Sequence, residues 1–484
     1  MSLTHDPTAT SSSPPADPRP TRDRSGRLLL RRLHFYAGIL VAPFLLIAAV
    51  SGALYAVAPT MENIVYRGYL HTESTGTPQP LADQVSAALD ARPDLELSAV
   101  RPSTQPGDTT RVLFDDPTLG KSERLAVFVD PVTAQPVGEL VAYGSSGALP
   151  LRTWISQLHR HLHLGEPGRI YSELAASWLW VIALGGLVLW IARYRKGRGK
   201  LRLATIDRTA RGRNRTLNWH GAMGVWLIVG LVFLSATGLT WSRFAGENVS
   251  ELRTTLHWTT PAVDTDLTGT APDGSGDHAG HGGHSTTAGD ATAAPAMPAA
   301  EQAAQLDEVL AIARDAGVTD KVEIAVPADA QTTYKVTETR EAWQLSPNSV
   351  AVDAADSRVV DTSWFADWPL AAKLTNWGIA LHMGLLFGLL SQFLLLLLAV
   401  GLVAVIMRGY QMWWQRRPRD GSRRVGRAPV RGALWSLPPA TAVGVVLVAV
   451  AVGWFVPLLG ISLAAFLLVD VVIGVIGRMR TARQ

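Results

Sequence analysis

The chain has 484 residues, of which 48% are hydrophobic and only 17% charged, a composition typical of an integral membrane protein with soluble parts attached. Its formal net charge of +4 gives no case for a nucleic-acid partner. Because cysteine is absent, thiolate metal sites, Fe–S clusters, covalently attached c-type haem and disulfides are excluded.

Six apolar segments are long enough to cross a bilayer, whose hydrocarbon of about 30 Å takes roughly 20 helical residues. They cover approximately residues 33–57, 170–192, 219–241, 382–407, 436–456 and 459–477. The first lacks a small-residue cleavage site and is too long for a secretory signal, so we interpret it as an uncleaved membrane helix.

Lysine and arginine cluster before the first segment, after the second, after the fourth and at the end of the chain. If all six segments span, the four clusters lie on one side, which the positive-inside rule makes cytoplasmic. The loops of about 58–157 and 242–375 are then extracytoplasmic. The sequence therefore predicts a multi-pass protein of the bacterial inner (cytoplasmic) membrane with both termini cytoplasmic.

The first helix contains His34 and, 18 residues later, Gly52; the third contains His220 and Gly238 at the same spacing. A second ungapped match aligns residues 158–165 with residues 381–388. These correspondences indicate that a unit of helix, outer domain and helix has been duplicated.

The two outer loops have the same order of elements. Each begins with a helical pattern and continues with short alternating segments, for example residues 127–129 and residues 350–352, which are both followed by a turn. We expect each loop to form a small α+β domain of one helix against a few antiparallel strands. A low-complexity linker of roughly 259–300 precedes the second domain.

The predicted fold is thus a mainly α membrane protein. It is a six-helix transmembrane bundle, built from the duplicated unit and a C-terminal helical hairpin, with two small extracytoplasmic α+β domains. In chain order we expect a disordered cytoplasmic tail 1–30, TM1 31–57, outer domain 58–157, TM2 158–193, a basic cytoplasmic loop 194–217, TM3 218–242, the His-rich linker 243–300, outer domain 301–375, TM4 376–415, a basic cytoplasmic loop 416–434, and the TM5–TM6 hairpin and tail 435–484.

Four histidines occupy duplicated positions near helix ends: His34 and His220 on the inner side, His159 and His382 on the outer side. Ionisable groups at membrane depth usually face a partner, a cavity or a cofactor. Two imidazoles at equal depth suit the two axial positions of one b-type haem, and a fully ligated iron favours electron transfer. We therefore expect two bis-histidine haem b groups, one per pair.

Neighbouring glycines would let a flat macrocycle lie close to the backbone of these helices. They are Gly38, Gly224, Gly165 and Gly388.

Several alternatives stay open from the residues alone. A lone interfacial histidine is often only a polar anchor, and His163, four residues after His159, is a substitute ligand if both share a helical face. Asp470 could serve a proton path or simply bond a neighbouring helix.

Three linker histidines could form a weak transition-metal site, since imidazole suits Cu, Ni, Zn and Fe, or could serve only as part of a spacer. They are His278, His281 and His284.

At these residues the chain resembles the PepSY-associated transmembrane family, which includes iron-regulated inner-membrane proteins and ferrisiderophore reductases. The resemblance covers about 30–418 and includes the Arg-Leu-His opening of the first helix, the Trp-His opening of the third and the two Leu-His segments. It implies PepSY-like outer domains, membrane haem at His34, His159, His220 and His382, and reduction of siderophore-bound iron at the outer face. The His-rich linker departs from the family pattern and leaves the substrate metal open.

From these observations the sequence predicts a haem-containing electron-transfer protein that reduces a metal chelate, a ferric siderophore above all, at the extracytoplasmic face. No nucleotide-binding motif is present in the sequence, so the electrons would come from a quinol or a separate reductase. Two alternatives are a non-enzymatic binding or regulatory membrane protein and a metal-uptake protein. Haem content distinguishes the electron-transfer protein from both alternatives.

Overall fold

The structure is a computed structural model that describes residues 22–196, 203–268, 296–416 and 437–481. Most of the predicted tail 1–30 and of the basic loop 416–434 lies outside these ranges, as do the linker histidines His278, His281 and His284.

The helices are α1 Arg22–Leu40, α2 Ala42–Val65, α3 Arg67–Leu70, α4 Leu81–Ala91, α5 Pro150–His161, α6 Glu166–Lys196, α7 Gly212–Thr240, α8 Phe244–Thr255, α9 Ala299–Ala304, α10 Leu306–Asp315, α11 Leu370–His382, α12 Leu389–Trp414, α13 Pro439–Phe455 and α14 Pro457–Thr481. The strands are β1 Glu96–Arg101, β2 Thr110–Asp115, β3 Glu123–Asp130, β4 Gln135–Tyr143, β5 Val322–Ala325, β6 Tyr334–Glu338, β7 Ser349–Asp353 and β8 Arg358–Ser363.

The protein is a multi-pass membrane protein with a helical part and an antiparallel sheet. Within the described ranges, five helices are long and apolar enough to cross a bilayer: α2, α6, α7, α12 and the Pro457–Ile476 part of α14. Inside the bundle, α6 packs against α7, and α2 packs against α12.

The expected span over residues 436–456 does not reach this length. Helix α13 has 17 residues because it begins after Pro438 and ends before Pro457. At about 1.5 Å per residue it is roughly 25 Å long, short of the hydrocarbon thickness. The described helices therefore support five spans, and the predicted count of six is not reached.

The first membrane segment is interrupted near its start, so that the span begins later than residue 33. A break at Val41 separates α1 from α2, and Pro43 follows in the first turn of α2. Proline has no N–H to donate to the carbonyl of Ile39, which is four residues earlier. The hydroxyl of Tyr410 on α12 donates to that carbonyl instead, at 3.1 Å.

All eight strands form one antiparallel sheet with the order β4-β3-β2-β1-β5-β6-β7-β8. Each predicted outer domain contributes one four-stranded meander, and the two meanders join where Ala99 pairs with Ala325 and Val100 with Ile324. The two predicted domains therefore share one sheet and the hydrophobic core on one of its faces.

Helices cover one face of this sheet. Val85 of α4, which packs on β2 to β4, and Leu306 and Val309 of α10, which packs on β6 to β8, are fully buried in one cluster with Val112 and Phe114 of β2. Burying an aliphatic or aromatic side chain of this size contributes about 1.5–3 kcal/mol. Because side chains alternate along a strand, the residue between these two strand positions faces the opposite side.

The opposite face packs onto the residues that continue α2 towards the sheet. Leu113 of β2 and Phe128 of β3 are buried there with Leu149, against the rings of Tyr66 and Tyr69. This second core holds the sheet against the end of membrane helix α2. Because Leu149 belongs to this core, the start of α5 at Pro150 is held beside the same helix end.

The predicted segments 158–193 and 376–415 required the outer histidines to lie at the start of membrane helices. The structure instead places both histidines at the ends of separate short helices. His159 lies near the end of α5 and His382 is the last residue of α11, whereas the spans begin only at Glu166 and Leu389. A turn containing positive-φ residues separates each short helix from its span. These residues are Leu162, His163, Gly165, Gly384 and Gly388.

The C-terminal hairpin contacts the bundle through α14. Arg32 of α1 is buried and forms an ion pair with Asp470. The indole of Trp178 on α6 donates a hydrogen bond to Ser462 at 2.8 Å. Asp470 thus bonds a neighbouring helix, which is the simpler of the two roles considered for it.

Candidate functional site

The four duplicated histidines meet in two pairs. The rings of His34 and His220 have their centroids 6.3 Å apart, and those of His159 and His382 are 6.5 Å apart. We call the first the far-side pair and the second the sheet-side pair, because the second lies on the side of the bundle where the sheet is.

These separations match two imidazoles on opposite sides of one metal ion. An imidazole nitrogen lies about 2.0–2.1 Å from a bound metal and about 1.1 Å from its own ring centre, so two opposed rings would have centroids about 6.3 Å apart. The far-side rings are inclined at 73° and the sheet-side rings at 48°.

In the far-side pair, backbone carbonyls select the tautomer of both rings. His34 Nδ1 lies 3.0 Å from the carbonyl oxygen of Ile182 on α6, and His220 Nδ1 lies 3.0 Å from that of Val405 on α12. A carbonyl only accepts hydrogen bonds, so Nδ1 must carry the proton. The lone pair of a neutral ring is then on Nε2, and such a bond also increases its basicity as a ligand.

In the sheet-side pair, hydroxyl groups have the same effect. His159 Nδ1 lies 2.9 Å from Ser51 Oγ, which donates its own hydrogen to the carbonyl of Ile47 at 2.8 Å. His382 Nδ1 lies 2.6 Å from Thr237 Oγ1.

The Thr237 hydroxyl likewise donates to the carbonyl of Phe233, at 2.8 Å. A hydroxyl that has donated its hydrogen can only accept the ring N–H. The carbonyl partners place the proton of His34 and His220 on Nδ1, and His159 and His382 share this tautomer when each hydroxyl donates to the carbonyl one turn earlier in its own helix.

Glycines on neighbouring helices lie beside all four rings. A Cβ built on Gly186 would be 2.9 Å from Cε1 of His34, and one on Gly52 would be 3.1 Å from Cε1 of His159. The equivalent distances are 3.7 Å for Gly409 and His220 and 3.9 Å for Gly238 and His382. The rings thus pack directly against helix backbone.

A cavity of about 940 Å³ surrounds the far-side pair. Gly38 and Gly224 line it, and a Cβ on either would meet no atom within 4 Å. The space that we expected beside these two glycines is therefore present. Trp190 and Trp413, at equivalent positions of the repeat, also line this cavity.

A cavity of about 300 Å³ surrounds the sheet-side pair, and Gly52 and Gly238 line it beside the two rings, with Gly144 elsewhere in its wall. The sequence assigned this role to Gly165 and Gly388, which was wrong. Both of these residues have positive φ values in the turns between helices, where glycine avoids the strain of a side chain.

The linings of both cavities carry excess positive charge. The far-side cavity is lined by no acidic residue within the described ranges, and its basic residues are Arg27, Arg31, Arg193, Lys196, Arg213 and Arg416. The sheet-side cavity is lined by one described carboxylate, that of Glu173, and by Arg160, Arg169 and Arg340.

Two aromatic residues contact the sheet-side histidines. The ring of Tyr55 stacks on His159 with centroids 6.4 Å apart and an interplanar angle of 15°, and Trp241 meets His382 edge-on at 5.1 Å. Both line the cavity. We did not predict this role, although Tyr55 and Trp241 follow Gly52 and Gly238 at the same spacing and the repeat signals their equivalence.

The helix carrying His159 is held by a buried carboxylate at the end of α2. Glu62 accepts a hydrogen bond from the backbone N–H of Leu149 at 2.7 Å and pairs with Arg152 at 3.3 Å. Pro150 then begins α5, a position where its missing N–H costs nothing. Glu62 is therefore a positioning residue for His159, and the sequence analysis did not identify it.

His163 does not join the sheet-side pair. Helix α5 ends at His161, so the spacing of four residues from His159 does not put both side chains on one helical face. His163 is exposed and packs on Trp154, with ring centroids 4.9 Å apart.

Among the described residues, no group of three or more histidines and carboxylates could hold a bare metal ion. Each histidine pair could supply only two ligands. A metal ion bound there would therefore need further ligands from a cofactor. A planar macrocycle that occupies the four equatorial positions fits this donor set, and the two pairs are therefore suited to bis-histidine haem.

The sequence profile of the PepSY-associated TM region matches residues 31–416, a range that includes all four paired histidines. The chain matches no curated protein at a significant level.

Proposed function

The chain belongs to the PepSY-associated transmembrane family, and from the two histidine pairs we propose that it is a haem-containing electron-transfer protein that reduces a metal chelate. The proposed substrate is a ferric siderophore, reduced on the side where the sheet lies. The observation that carries the proposal is the presence of two imidazole pairs whose ring centroids lie 6.3 and 6.5 Å apart, a separation that one bound metal ion would span.

Two haem b groups would be held, one by His34 and His220 and the other by His159 and His382. When bound, they supply one-electron carriers without an open coordination position, which favours electron transfer over ligand binding. The protein's own part is to fix the tautomer and orientation of all four rings through Ile182, Val405, Ser51 and Thr237.

The spacing of the pairs supports a path along the bundle. On α7, His220 and Thr237, the partner of His382, are 17 residues apart. At about 1.5 Å per residue this separation is about 25 Å, which is most of the hydrocarbon thickness of about 30 Å. Electrons would enter at the far-side pair and leave at the sheet-side pair.

The orientation is part of the proposal. The basic residues at the far-side cavity favour the cytoplasmic side of a bacterial inner membrane, with the sheet on the extracytoplasmic side. The electron donor at the far side would be a quinol or a separate reductase. At the other end, Tyr55 and Trp241 line the sheet-side cavity and contact His159 and His382.

Single histidine variants test this proposal in purified protein. We expect His382→Ala to retain the far-side haem, to lose the sheet-side haem and to abolish Fe(III)-chelate reduction by dithionite-reduced protein. His163→Ala is the matched control, because this exposed histidine lies outside both cavities, and it should retain both haems and full activity.

A His382→Ala protein that folds, keeps all its haem and reduces the chelate at the wild-type rate would contradict the proposal. Wild-type protein without haem would instead favour a binding or regulatory role. Metal flux into liposomes without haem would favour metal uptake.

A further inference from the structure

Arg340 lies in the loop between β6 and β7 and lines the sheet-side cavity together with His159 and His382. The backbone of the loop is held at both ends. The N–H of Thr339 donates to the carbonyl of Lys321 at 2.8 Å, and the N–H of Trp343 donates to the carbonyl of Leu386 at 2.7 Å. Leu386 belongs to the turn that follows His382.

A second hydrogen bond joins this loop to the segment around His382. The indole N–H of Trp377 on α11 donates it to the carbonyl of Leu345 at 2.6 Å. A Cβ on Gly388 would lie 3.2 Å from the Cβ of Ala342. The loop is thus packed onto the segment that carries His382, and its position over the cavity is fixed from both sides.

Arg340 differs from two neighbouring arginines in the pairing of its charge. Arg152, beneath the sheet, pairs with Glu62, and Arg169, in the cavity wall, pairs with Glu166 at 3.1 Å. Arg340 has no hydrogen bond or ion pair with any residue that the structure describes. Tyr55, whose ring stacks on His159, lines the same cavity.

The single carboxylate in the described wall of the cavity forms no ion pair with Arg340. Glu173 accepts the backbone N–H groups of Phe244 at 3.0 Å and Ala245 at 2.9 Å, at the start of α8. Burial lowers the pKa of Arg340 from its usual value, but a guanidinium stays charged at neutral pH. A partly buried charge of this kind is stabilised by an opposite charge.

We propose that Arg340 binds the carboxylate of a ligand seated in the sheet-side cavity. A guanidinium presents two parallel N–H donors that match the two oxygens of a carboxylate, so the bond is both directional and charge-assisted. Within the function proposed above, on which this inference rests, the carboxylate belongs either to the docked chelate or to a propionate of the sheet-side haem.

The test compares Arg340→Gln and Arg340→Lys with the wild type. Arg92→Gln is the control, because Arg92 is another half-buried arginine whose pairing with Asp94 and Glu139 lies on the sheet surface. The readouts are haem per chain, the midpoint potential of each haem, and KM for two iron chelates. One chelate is Fe(III)-citrate, which carries carboxylates, and the other is a neutral Fe(III)-trihydroxamate.

If the carboxylate belongs to the chelate, Arg340→Gln should raise KM for Fe(III)-citrate by about 10-fold or more. The KM for the neutral chelate and both midpoint potentials should then stay at wild-type values. If it belongs to the cofactor, Arg340→Gln should lower one midpoint potential or the haem content, with the same effect on both chelates. In either case Arg340→Lys should recover part of the loss, because it restores the charge without the paired donors.

The inference is overturned if Arg340→Gln matches Arg92→Gln in haem content, potentials and both KM values. A failure of the proposed function is a separate result, since it appears in the wild-type protein as the absence of haem and of chelate reduction. In that event, calorimetric titration with Fe(III)-citrate still decides the inference: wild type must bind it at least 10-fold more tightly than Arg340→Gln.

Discussion

The glycine beside His34 offers a graded test of the far-side pair. In Gly186→Ala the new Cβ would lie 2.9 Å from Cε1 of His34. The ring cannot move freely, because Nδ1 is bonded to the carbonyl of Ile182 on the same helix at 3.0 Å. Gly409→Ala is the same change at the equivalent position of the repeat, where the Cβ would be 3.7 Å from His220 and in ordinary contact.

Both variants gain the same helix propensity, about 0.8–1.0 kcal/mol for alanine over glycine. Only Gly186→Ala adds the cost of overpacking, typically about 1–3 kcal/mol. The difference between the two variants therefore isolates the contact with the ring. A cost of this size corresponds to about a 5- to 150-fold change in an equilibrium constant.

The assay measures haem per chain and the thermal unfolding midpoint of both proteins in detergent. We expect Gly186→Ala to bind far-side haem more weakly and to unfold at a lower temperature than Gly409→Ala. The sheet-side haem should be unchanged in both. Equal haem content and equal midpoints in the two variants would refute the reasoning.

Two further predictions concern the sheet-side pair and the sheet. Thr237→Val removes the acceptor of the His382 Nδ1–H, and the loss of such a partner should lower haem affinity at that pair about 10- to 100-fold in a haem titration; unchanged affinity would show that the hydroxyl does not orient the ring. Burial alone would raise the pKa of Glu323, but Arg101 and Arg124 lower it below its usual value. The ionised carboxylate therefore contributes to the free energy of unfolding. This contribution is complete above the unfolded-state pKa of about 4.3 and is lost as pH falls through the folded-state pKa. Glu323→Gln should therefore destabilise the sheet by about 1–3 kcal/mol at pH 7 and by less at pH 3.5, measured by urea unfolding; the same destabilisation at both pH values would contradict this prediction.

The repeats in the sequence were sufficient to find the four paired histidines. An ungapped match places His34 with His220 and His159 with His382, and duplicated units that pack about an axis bring matched positions together. The family membership was predicted correctly from the same residues and covers residues 31–416.

The turns after the outer histidines were not predictable from the same patterns. Leu162 and His163 adopt positive φ values that their residue types rarely favour, so nothing in the sequence ends α5 at His161. In the structure α5 packs against α2, α6 and β4, and such tertiary contacts cannot be derived from local sequence patterns.

Two further features could not be predicted from the sequence. They are the hydrogen-bond acceptors of the far-side rings and the pairing that joins the two meanders. Every residue has a carbonyl group, so the acceptors Ile182 and Val405 carry no signal of their own. The pairing of β1 with β5 joins Ala99 to Ala325, residues that are far apart in the chain, and local alternation predicts strands but not their distant neighbours.

The most direct measurement is an optical spectrum of the detergent-purified protein, oxidised and then dithionite-reduced, with haem quantified per chain. We expect two haems per chain and a sharp α-band in the reduced form, because under the proposal each histidine pair supplies both axial ligands of one haem. Protein purified from haem-supplied cells that carries no haem would contradict the assignment of both pairs.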